Sequence, residues 1–399
     1  MKIESLKIEN FKVFKHAEIK DIPNYCVILG TNGSGKSTFF DVFGFLRDCL
    51  MTNVNEALRP KGGFREVISR GCDPEKDLIK IEIKFRTLDE KDRTPLVTYQ
   101  LEIGFENGKA FVNFELLKYR RGNRGKSWHF LEFKKGEGMA IVNEDKYTDK
   151  TFNEEREFQK VSSPDILALK GLGQFEKFKT ISAFRNLLEK WHVSNLKIDS
   201  ARQAGTGISD AHLNTNGENI SQVTKYLYEF HRDKFDALLK KFEERIPGIS
   251  KVEAKLTEEG NILLKFRDNA FENPFLSRYV SDGTIKMFAY MVLLADPEPH
   301  PLLCIEEPEN YLHPDIMHEL CEEIREYADN GDGQVFVSTH SPDFVNAVYI
   351  DELFYIVKQN GFSQIKSVKD NQSIVDLVND GNQLGWLWRN KYIDGANLN

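Results

Sequence analysis

The sequence has few cysteines, and none of them has a spacing that would bind a metal. Five cysteines occur in 399 residues, without a C-x-x-C pair or a zinc-finger spacing. Most of them lie in apolar runs, so we expect small buried thiols in a reducing cytoplasm. The five residues are Cys26, Cys49, Cys72, Cys304 and Cys321.

The sequence also lacks long hydrophobic runs and an excess of positive charge. No apolar stretch approaches the roughly 20 residues of a membrane span, and the first residues do not resemble a signal peptide. We therefore expect a cytoplasmic protein without a membrane partner. The formal net charge of -8 argues against a surface covered with basic patches. One basic cluster, RRGNRGK over 120–126, leaves nucleic acid open as a partner, although a solvated hairpin turn also explains it.

A glycine-rich stretch, GTNGSGKS over 30–37, follows an apolar run and precedes a segment of helical character. Glycines let backbone N–H groups surround a phosphate, and a helix start adds partial positive charge. We therefore predict a phosphate-binding P-loop in which Lys36 is catalytic and contacts the β- and γ-phosphates of ATP, while Ser37 binds Mg²⁺. The predicted nucleotide-binding residues here are Gly30, Thr31, Asn32, Gly33, Ser34, Gly35, Lys36, Ser37 and Thr38.

A second informative stretch, LLCIEE over 302–307, ends in two carboxylates. Its apolar residues predict a buried strand, and α/β sheets bind ligands at the carboxyl ends of their strands. We predict that Glu306 binds the metal ion and that Glu307 activates the attacking water. Taken alone, two solvated acids at a strand end would explain the pattern equally well.

Two further positions follow the same logic. His340 comes after the next predicted strand, 334–338, and we predict that it hydrogen-bonds the γ-phosphate; a packing histidine is the alternative. Ser281 and Gly283 precede a helix that is apolar almost all round, and they predict a second helix start able to bind an anion. Ser281 would also serve as an ordinary N-cap.

The pattern of apolar residues predicts an α/β fold in three parts. Residues 1–149 contain the P-loop and several strands with period-two alternation, which predicts an antiparallel β-layer. Residues 150–248 predict a mainly helical insertion, with helices over 164–170, 174–190 and 219–245 and a loop at 204–207. Residues 249–399 alternate strands and helices, which predicts a mainly parallel core sheet that also contains the P-loop strand.

These motifs together resemble the SMC/RecF/OLD-like ATPases, which are ABC-type ATPase heads often classed as AAA family ATPases of prokaryotic defence and repair systems. The resemblance rests on NFK-x-F near the start, GTNGSGKS, the signature Ser-Asp-Gly, EEPENYLHP and STHSP, in that order. It covers about 1–145 and 250–399. It implies a homodimer or higher homo-oligomer in which one copy's Ser281 and Gly283 contact the other copy's ATP, with Glu309 and Asn310 in the loop that crosses between subunits.

The sequence departs from the family pattern in several places. No clear Q-loop glutamine lies between the P-loop helix and residue 99, and Asp282 stands where transport ATPases usually have glycine. There is neither a long coiled coil nor a zinc hook. Two tryptophans near the end, Trp386 and Trp388, are open to two interpretations: core residues or a docking patch.

The resemblance implies a slow ATPase that acts as a molecular switch and controls a separately encoded effector, a nuclease or toxin, in anti-phage defence. Two alternatives remain at this point. One is a RecF-like repair ATPase that binds DNA directly through the basic cluster. The other is a largely non-catalytic scaffold that keeps ATP bound to hold a complex together.

Overall fold

The computed structural model describes residues 2–86, 96–120, 127–144, 155–201, 209–246, 248–258, 262–270 and 273–394. The chain forms two compact units. The first unit comprises Met1–Trp191, Asp351–Val375 and Ile393–Asn399, and the second comprises His192–Ile350 and Asp376–Tyr392. The first unit thus combines segments from both ends of the sequence.

The first unit contains an eight-stranded antiparallel sheet in the order β2-β1-β4-β5-β6-β7-β8-β9. Alternate residues of β4 are buried, as the period-two pattern predicts, so the expected antiparallel β-layer is confirmed. The strands are β1 (Lys2–Phe11), β2 (Phe14–Lys20), β4 (Ile79–Arg86), β5 (Leu96–Glu106), β6 (Lys109–Arg120), β7 (Ser127–Lys134), β8 (Glu137–Ile141) and β9 (Arg156–Lys160).

The first unit also contains β3 (Tyr25–Leu29), which is buried along its whole length. β3 pairs in parallel with β16 (Leu353–Gln359), and β16 pairs antiparallel with β17 (Phe362–Ser367). The P-loop strand is therefore paired with a strand from the far end of the sequence, as predicted. The helices of this unit are α1 (Lys36–Met51), α2 (Val54–Leu58), α3 (Phe64–Val67), α4 (Ala168–Leu172) and α5 (Lys179–Glu189).

The second unit contains three parallel strands in the order β10-β14-β15 and an antiparallel sheet of β11, β12 and β13. Its strands are β10 (His192–Ser194), β11 (Ile249–Leu256), β12 (Ile262–Asp268), β13 (Phe275–Leu276), β14 (Leu302–Glu306) and β15 (Gln334–Thr339). Its helices are α6 (Ile198–Ala201), α7 (Ile220–Phe230), α8 (Arg232–Arg245), α9 (Asp282–Leu294), α10 (Pro314–Asp329), α11 (Pro342–Val345) and α13 (Leu384–Arg389), while α12 (Gln372–Asn379) crosses the division between the units.

The structure corrects several predicted elements. The single helix expected over 219–245 is two helices, because the backbone of His231 leaves the helical region at φ −135° and ψ 53°. The signal was present in the sequence, since the apolar pattern takes one longer step between Phe230 and Phe235. The helix expected over 174–190 begins only at Lys179, and the one expected over 164–170 lies four residues later, from Ala168. The sequence analysis predicts none of the four strands β9, β10, β13 and β17, and β9 lies in the block expected to be mainly helical.

The block predicted over 150–248 is divided between the units at Trp191 and His192. β9 lies in the antiparallel sheet of the first unit, and β10 pairs with β14 in the second. Whether this block is an insertion stays a prediction. The loop at 204–207 lies outside the described residues.

Four of the five cysteines are buried, as expected, and Cys72 is half-buried. Within the described ranges, none of the helices has both the length and the apolar character that crossing a membrane requires.

Candidate functional site

The P-loop lies between β3 and the start of α1. The N-cap of α1, Gly35, has a left-handed φ of 114°, and within the described chain no side chain caps this helix. Its first turn also contains no acidic residue. The first N–H groups of any helix lack acceptors within the helix, and they carry partial positive charge. The start of this 16-residue helix is therefore suited to an anion.

Lys36 is buried within the loop that precedes its own helix. Its side chain is 5% exposed, and Nζ donates to the carbonyl oxygens of Gly30 at 2.8 Å and Thr31 at 3.3 Å. A Cβ at Gly30 would lie 2.4 Å from the Ser34 Oγ, so a larger residue there would displace the Ser34 side chain. The ammonium is thus held inside the loop by backbone carbonyls.

Residues from distant segments brace the P-loop. A Cβ at Gly35 would lie 2.9 Å from Cγ2 of Val13 and 3.1 Å from Oγ of Ser363. The Ser363 Oγ donates to the Ser34 carbonyl, and the Ser363 N–H donates to the Val13 carbonyl at 2.9 Å. Sequence reasoning missed Ser363, because β17 gives no motif signal.

The side chains predicted to bind the nucleotide and its metal ion are divided between the two units. The Ser34 Oγ is buried and has no hydrogen-bond partner among the described residues. The Ser37 hydroxyl lies on the exposed first turn of α1, and Glu306 is a half-buried carboxylate at the end of β14. Mg²⁺ prefers hard oxygen ligands such as hydroxyl and carboxylate. The residues predicted to bind ATP and Mg²⁺ therefore have suitable chemistry, and their roles stay predictions.

In the second unit, Glu307 follows β14 in a strained conformation. Its φ of 43° is in the left-handed region, where a non-glycine residue pays a free-energy cost. The conformation is held by bonds to its backbone and side chain: its N–H donates to the Ser338 carbonyl at 2.9 Å, and Nδ2 of Asn310 donates to its Oε2 at 3.2 Å. Strain of this kind concentrates at functional positions, which agrees with the predicted catalytic role.

His340 forms a carboxylate–histidine cluster with Glu307 and Glu309. Nδ1 of His340 lies 3.4 Å from Oε1 of Glu307 and 3.4 Å from Oε1 of Glu309. The backbone N–H of His340 donates to Oε1 of Glu309 at 2.9 Å, and the backbone carbonyl of His340 accepts from Nε1 of Trp388 at 3.3 Å. The structure thus brings together the predicted catalytic residues Glu307 and His340.

Sequence reasoning missed two roles in this cluster. Glu309 is 6% exposed and also accepts from Oγ1 of Thr339 at 2.7 Å, so it orients the end of β15. Trp388 is 6% exposed and supports His340, whereas Trp386 is 45% exposed and stacks on Tyr392. The core interpretation therefore holds for Trp388 and fails for Trp386.

A buried lysine contacts the same cluster. Lys286 is 4% exposed on α9, and its Nζ donates to the Glu307 carbonyl at 3.4 Å. Burial lowers the pKa of Lys286 to about 8, against the opposing effect of the carboxylates of Glu309 and Glu307. The signal that could have found it was a lysine inside an otherwise apolar helix.

The signature start of α9 differs from the start of α1. Ser281 is exposed and caps α9: its Oγ accepts from the Thr284 N–H at 3.2 Å and lies 2.7 Å from Oγ1 of Thr284. The N-cap role expected for Ser281 is therefore observed. A Cβ at Gly283 would lie 3.0 Å from the Tyr311 carbonyl, so glycine allows close approach of the segment after Glu307.

Comparisons with known proteins show the family to which this chain belongs. The family model described as "AAA domain, putative AbiEii toxin, Type IV TA system" (AAA_21) matches residues 26–346, which is most of the chain. The chain belongs to this family. It is an ATPase of the SMC/AAA type, as the motifs predict.

Two relatives show the extent of the similarity. A protein of Helicobacter pylori (strain ATCC 700392 / 26695) named "ATP/GTP phosphatase" is 24% identical over 414 residues, which cover 98% of each chain. A solved SMC head, bound to the C-winged helix domain of ScpA, is 13% identical with a TM-score of 0.53 and covers 92% of this chain and 97% of its own. The latter confirms the predicted fold, an ABC-type P-loop ATPase head.

Proposed function

We propose that this AAA_21 ATPase is a molecular switch that dimerises head to tail around ATP and controls a separate effector. The observation that supports nucleotide binding is the start of α1. Lys36 is held inside the preceding loop, and no side chain within the described residues caps the helix. A bound phosphate would satisfy the amides of the first turn and neutralise the ammonium.

In this proposal, each polar residue has one role in hydrolysis. Lys36 binds the β- and γ-phosphates, while Ser37 and Glu306 hold Mg²⁺, which would stabilise negative charge on the phosphates. Glu307 accepts a proton from the attacking water, and His340 hydrogen-bonds the γ-phosphate. The roles of Glu307 and His340 are supported by the 3.4 Å separation of His340 Nδ1 from Glu307 Oε1. At this distance, the charge of one group affects the other.

The proposed dimer rests on the surface around the signature. Ser281 is exposed on the second unit, and the exposed side chains of Tyr279 (71%) and Tyr311 (70%) lie on either side of α9 in the sequence. Aromatic side chains at an exposed surface suit an interface with another molecule. ATP would favour the dimer because its γ-phosphate contacts Ser281 and Gly283 of the second copy only in the closed state.

The proposed effector is a nuclease or toxin, and the proposed setting is anti-phage defence in the cytoplasm. The support for a toxin-related role is the family description, which names a putative AbiEii toxin and a Type IV TA system. The SMC head that shares the fold binds a partner protein, ScpA, in its solved structure. An effector docked on this ATPase would be a comparable arrangement.

The test uses two variants of the full-length protein, Lys36→Ala and Glu307→Gln. We expect Lys36→Ala to lower ATP turnover by about a hundred-fold or more, since it removes a charge that stabilises the transferred phosphoryl group. Glu307→Gln should lower turnover by a similar factor, yet still bind ATP and accumulate as an ATP-linked dimer. Turnover is measured by phosphate release, and dimerisation by light scattering with and without ATP.

Lys135→Ala is the matched control, because Lys135 is an exposed lysine of the same unit that pairs with Glu106 on the surface. It should behave as wild type. The proposal fails if Lys36→Ala and Glu307→Gln match wild type in both turnover and ATP-dependent dimerisation. Very slow wild-type turnover with tight nucleotide retention would instead select the scaffold alternative.

A further inference from the structure

Three potential metal ligands meet in the second unit, at the end of β14 opposite to Glu306. Asp296 follows α9, His300 precedes β14, and His212 comes from the segment before α7. One ligand atom from each lies within 4.8 Å of the other two. We call these three residues the His–Asp cluster. The proposed hydrolytic mechanism uses none of them.

The distances within the His–Asp cluster suit a small cation. Oδ2 of Asp296 lies 2.8 Å from Nδ1 of His212 and 3.6 Å from Nε2 of His300. Zn²⁺ takes nitrogen and oxygen ligands at about 2.0–2.2 Å in a tetrahedral arrangement, which places neighbouring ligand atoms roughly 3.3 Å apart. The two observed distances lie on either side of that separation, and all three ligand atoms lie within 4.8 Å of one another.

Neighbouring groups orient the Asp296 carboxylate and hold the backbone of both histidines. The Glu298 N–H donates to Oδ1 of Asp296 at 2.8 Å, which leaves Oδ2 for the imidazoles. On the backbone, the His212 carbonyl accepts from Nδ2 of Asn219 at 2.8 Å, and the His300 carbonyl accepts from the Tyr327 hydroxyl at 3.2 Å. Outer groups of this kind fix ligand geometry in metal sites.

Burial and access are also those of a metal site. Asp296 is 3% exposed and His300 8%, so two ligands are shielded from water. The imidazole of His300 is further held by His192, whose ring stacks on it at a centroid distance of 4.6 Å. The His212 side chain is 45% exposed, which leaves one side open for the ion to reach the cluster and for water as a fourth ligand.

We propose that His212, Asp296 and His300 bind a divalent transition-metal ion of the zinc class, which links two segments of the second unit. Two imidazoles and one carboxylate match the ligand preference of Zn²⁺ rather than that of Mg²⁺. The ion joins the segment before α7 to the connection between α9 and β14. Ser281 lies at the other end of α9, and Glu306 lies at the other end of β14. The ion therefore stabilises the second unit without contacting the nucleotide.

The test is zinc binding by the full-length protein without nucleotide. After treatment with a chelator, the protein is dialysed against Zn²⁺ in excess Mg²⁺, and bound zinc is measured by mass spectrometry. We expect about one tightly bound Zn²⁺ per chain and a higher melting temperature with Zn²⁺. His212→Ala and Asp296→Asn should each weaken binding by about ten-fold or more and abolish the zinc-dependent rise in melting temperature.

His129→Ala is the control, because His129 forms a His–carboxylate pair with Glu132 at 2.7 Å in the other unit. It should leave zinc binding unchanged. His212→Ala changes a partly exposed side chain, so it keeps the test decisive even where Asp296→Asn unfolds. The proposal is overturned if the wild-type protein binds no zinc, or if His212→Ala binds it as tightly as wild type.

Discussion

The starts of α1 and α9 have related sequences and opposite chemistry. Each has a serine and a glycine near its start: Ser34 and Gly35 precede α1, whereas Ser281 precedes α9 and Gly283 is its second residue. Both helices are longer than ten residues. At α9, the Ser281 side chain accepts a bond from the Thr284 N–H, and Asp282 adds an acid in the first turn. At α1, Gly35 is the N-cap, and no described side chain takes that role.

This difference separates a helix start that stabilises itself from one that depends on a ligand. Ser281 supplies its own acceptor, so α9 gains stability whether or not nucleotide is bound. An anion bound at the start of α1 would accept hydrogen bonds from amides of the first turn, and these bonds would contribute to the free energy of binding. In the proposed dimer, this exposed start would meet ATP held by the other copy.

The largest expected effect comes from Gly35→Ala at the start of α1. Alanine at a φ of 114° is strained, and its Cβ would lie 2.9 Å from Cγ2 of Val13. The change therefore distorts the loop that binds phosphate. We expect ATP affinity to fall by more than about a hundred-fold, together with a loss of roughly 3 kcal/mol in the free energy of unfolding. Fluorescent-nucleotide titration and urea unfolding measure the two quantities.

Gly33→Ala is the matched variant, because Gly33 has a left-handed φ of 73° but a Cβ added there would meet no atom within 4 Å. It should cost about 1 kcal/mol in stability, the ordinary penalty of a left-handed alanine. Its effect on ATP affinity should be smaller than that of Gly35→Ala. Equal losses for the two variants would show that backbone strain alone, rather than the contact with Val13, controls the loop.

The next expected effect is on the free energy of unfolding, whose dependence on pH differs between the two units. In the first unit, Glu115 is fully buried and accepts bonds from the N–H groups of Ala168 and Leu169 and from the Tyr99 hydroxyl. Burial raises the pKa of Glu115 from 4.5 to about 7. The folded state therefore holds the proton more tightly, and its contribution to stability is present below pH 4.5 and lost as the pH rises through 7.

In the second unit, the buried Lys286 has the opposite dependence. Its pKa is lowered from 10.5 to about 8, so the unfolded chain binds more protons between these values. Stability should therefore rise as the pH increases from 8 to 10.5. Each window corresponds to a change on the order of 3 kcal/mol. Glu115→Gln should reduce the slope of stability between pH 4.5 and 7, and Lys286→Met should remove the slope between pH 8 and 10.5, as measured by urea unfolding across pH.

The exposed Glu106, in the same sheet as Glu115, supplies a control, since Glu106→Gln should leave the acidic window unchanged. Glu144 also has a pKa raised by burial to about 7, so Glu115→Gln removes only part of the acidic slope. A full slope in Glu115→Gln would contradict the assignment, as would an alkaline slope that survives in Lys286→Met.

Much of this fold follows from the sequence, because its signals are local. Period-two alternation predicts the antiparallel layer, and four apolar residues followed by two acids predict β14. β17 was missed because its residues carry no strong alternation, although Ser363 braces the P-loop. The break at His231 depends on one backbone conformation, which periodicity marks only as a longer step between Phe230 and Phe235.

The site was predictable where a motif carries the chemistry and not where a long-range contact does. Residues 30–37 and the pair Glu306 and Glu307 are motif positions. The support that Glu309 and Trp388 give to His340 requires strands and helices from separated segments to meet, and no spacing in the sequence encodes it. The His–Asp cluster was missed for the same reason, because only Asp296 and His300 are near in sequence.

The smallest expected effect tests the opening comparison most directly, through Ser281→Ala and Ser37→Ala. Ser281→Ala removes the cap of α9 and should cost about 1 kcal/mol in the free energy of unfolding without nucleotide. Ser37→Ala removes a hydroxyl that caps nothing, so nucleotide-free stability should change by less than about 0.5 kcal/mol. Its Mg²⁺-dependent ATP turnover should fall instead. A loss of stability in Ser37→Ala as large as in Ser281→Ala would mean that α1 is capped by its own chain, and that its start is not reserved for phosphate.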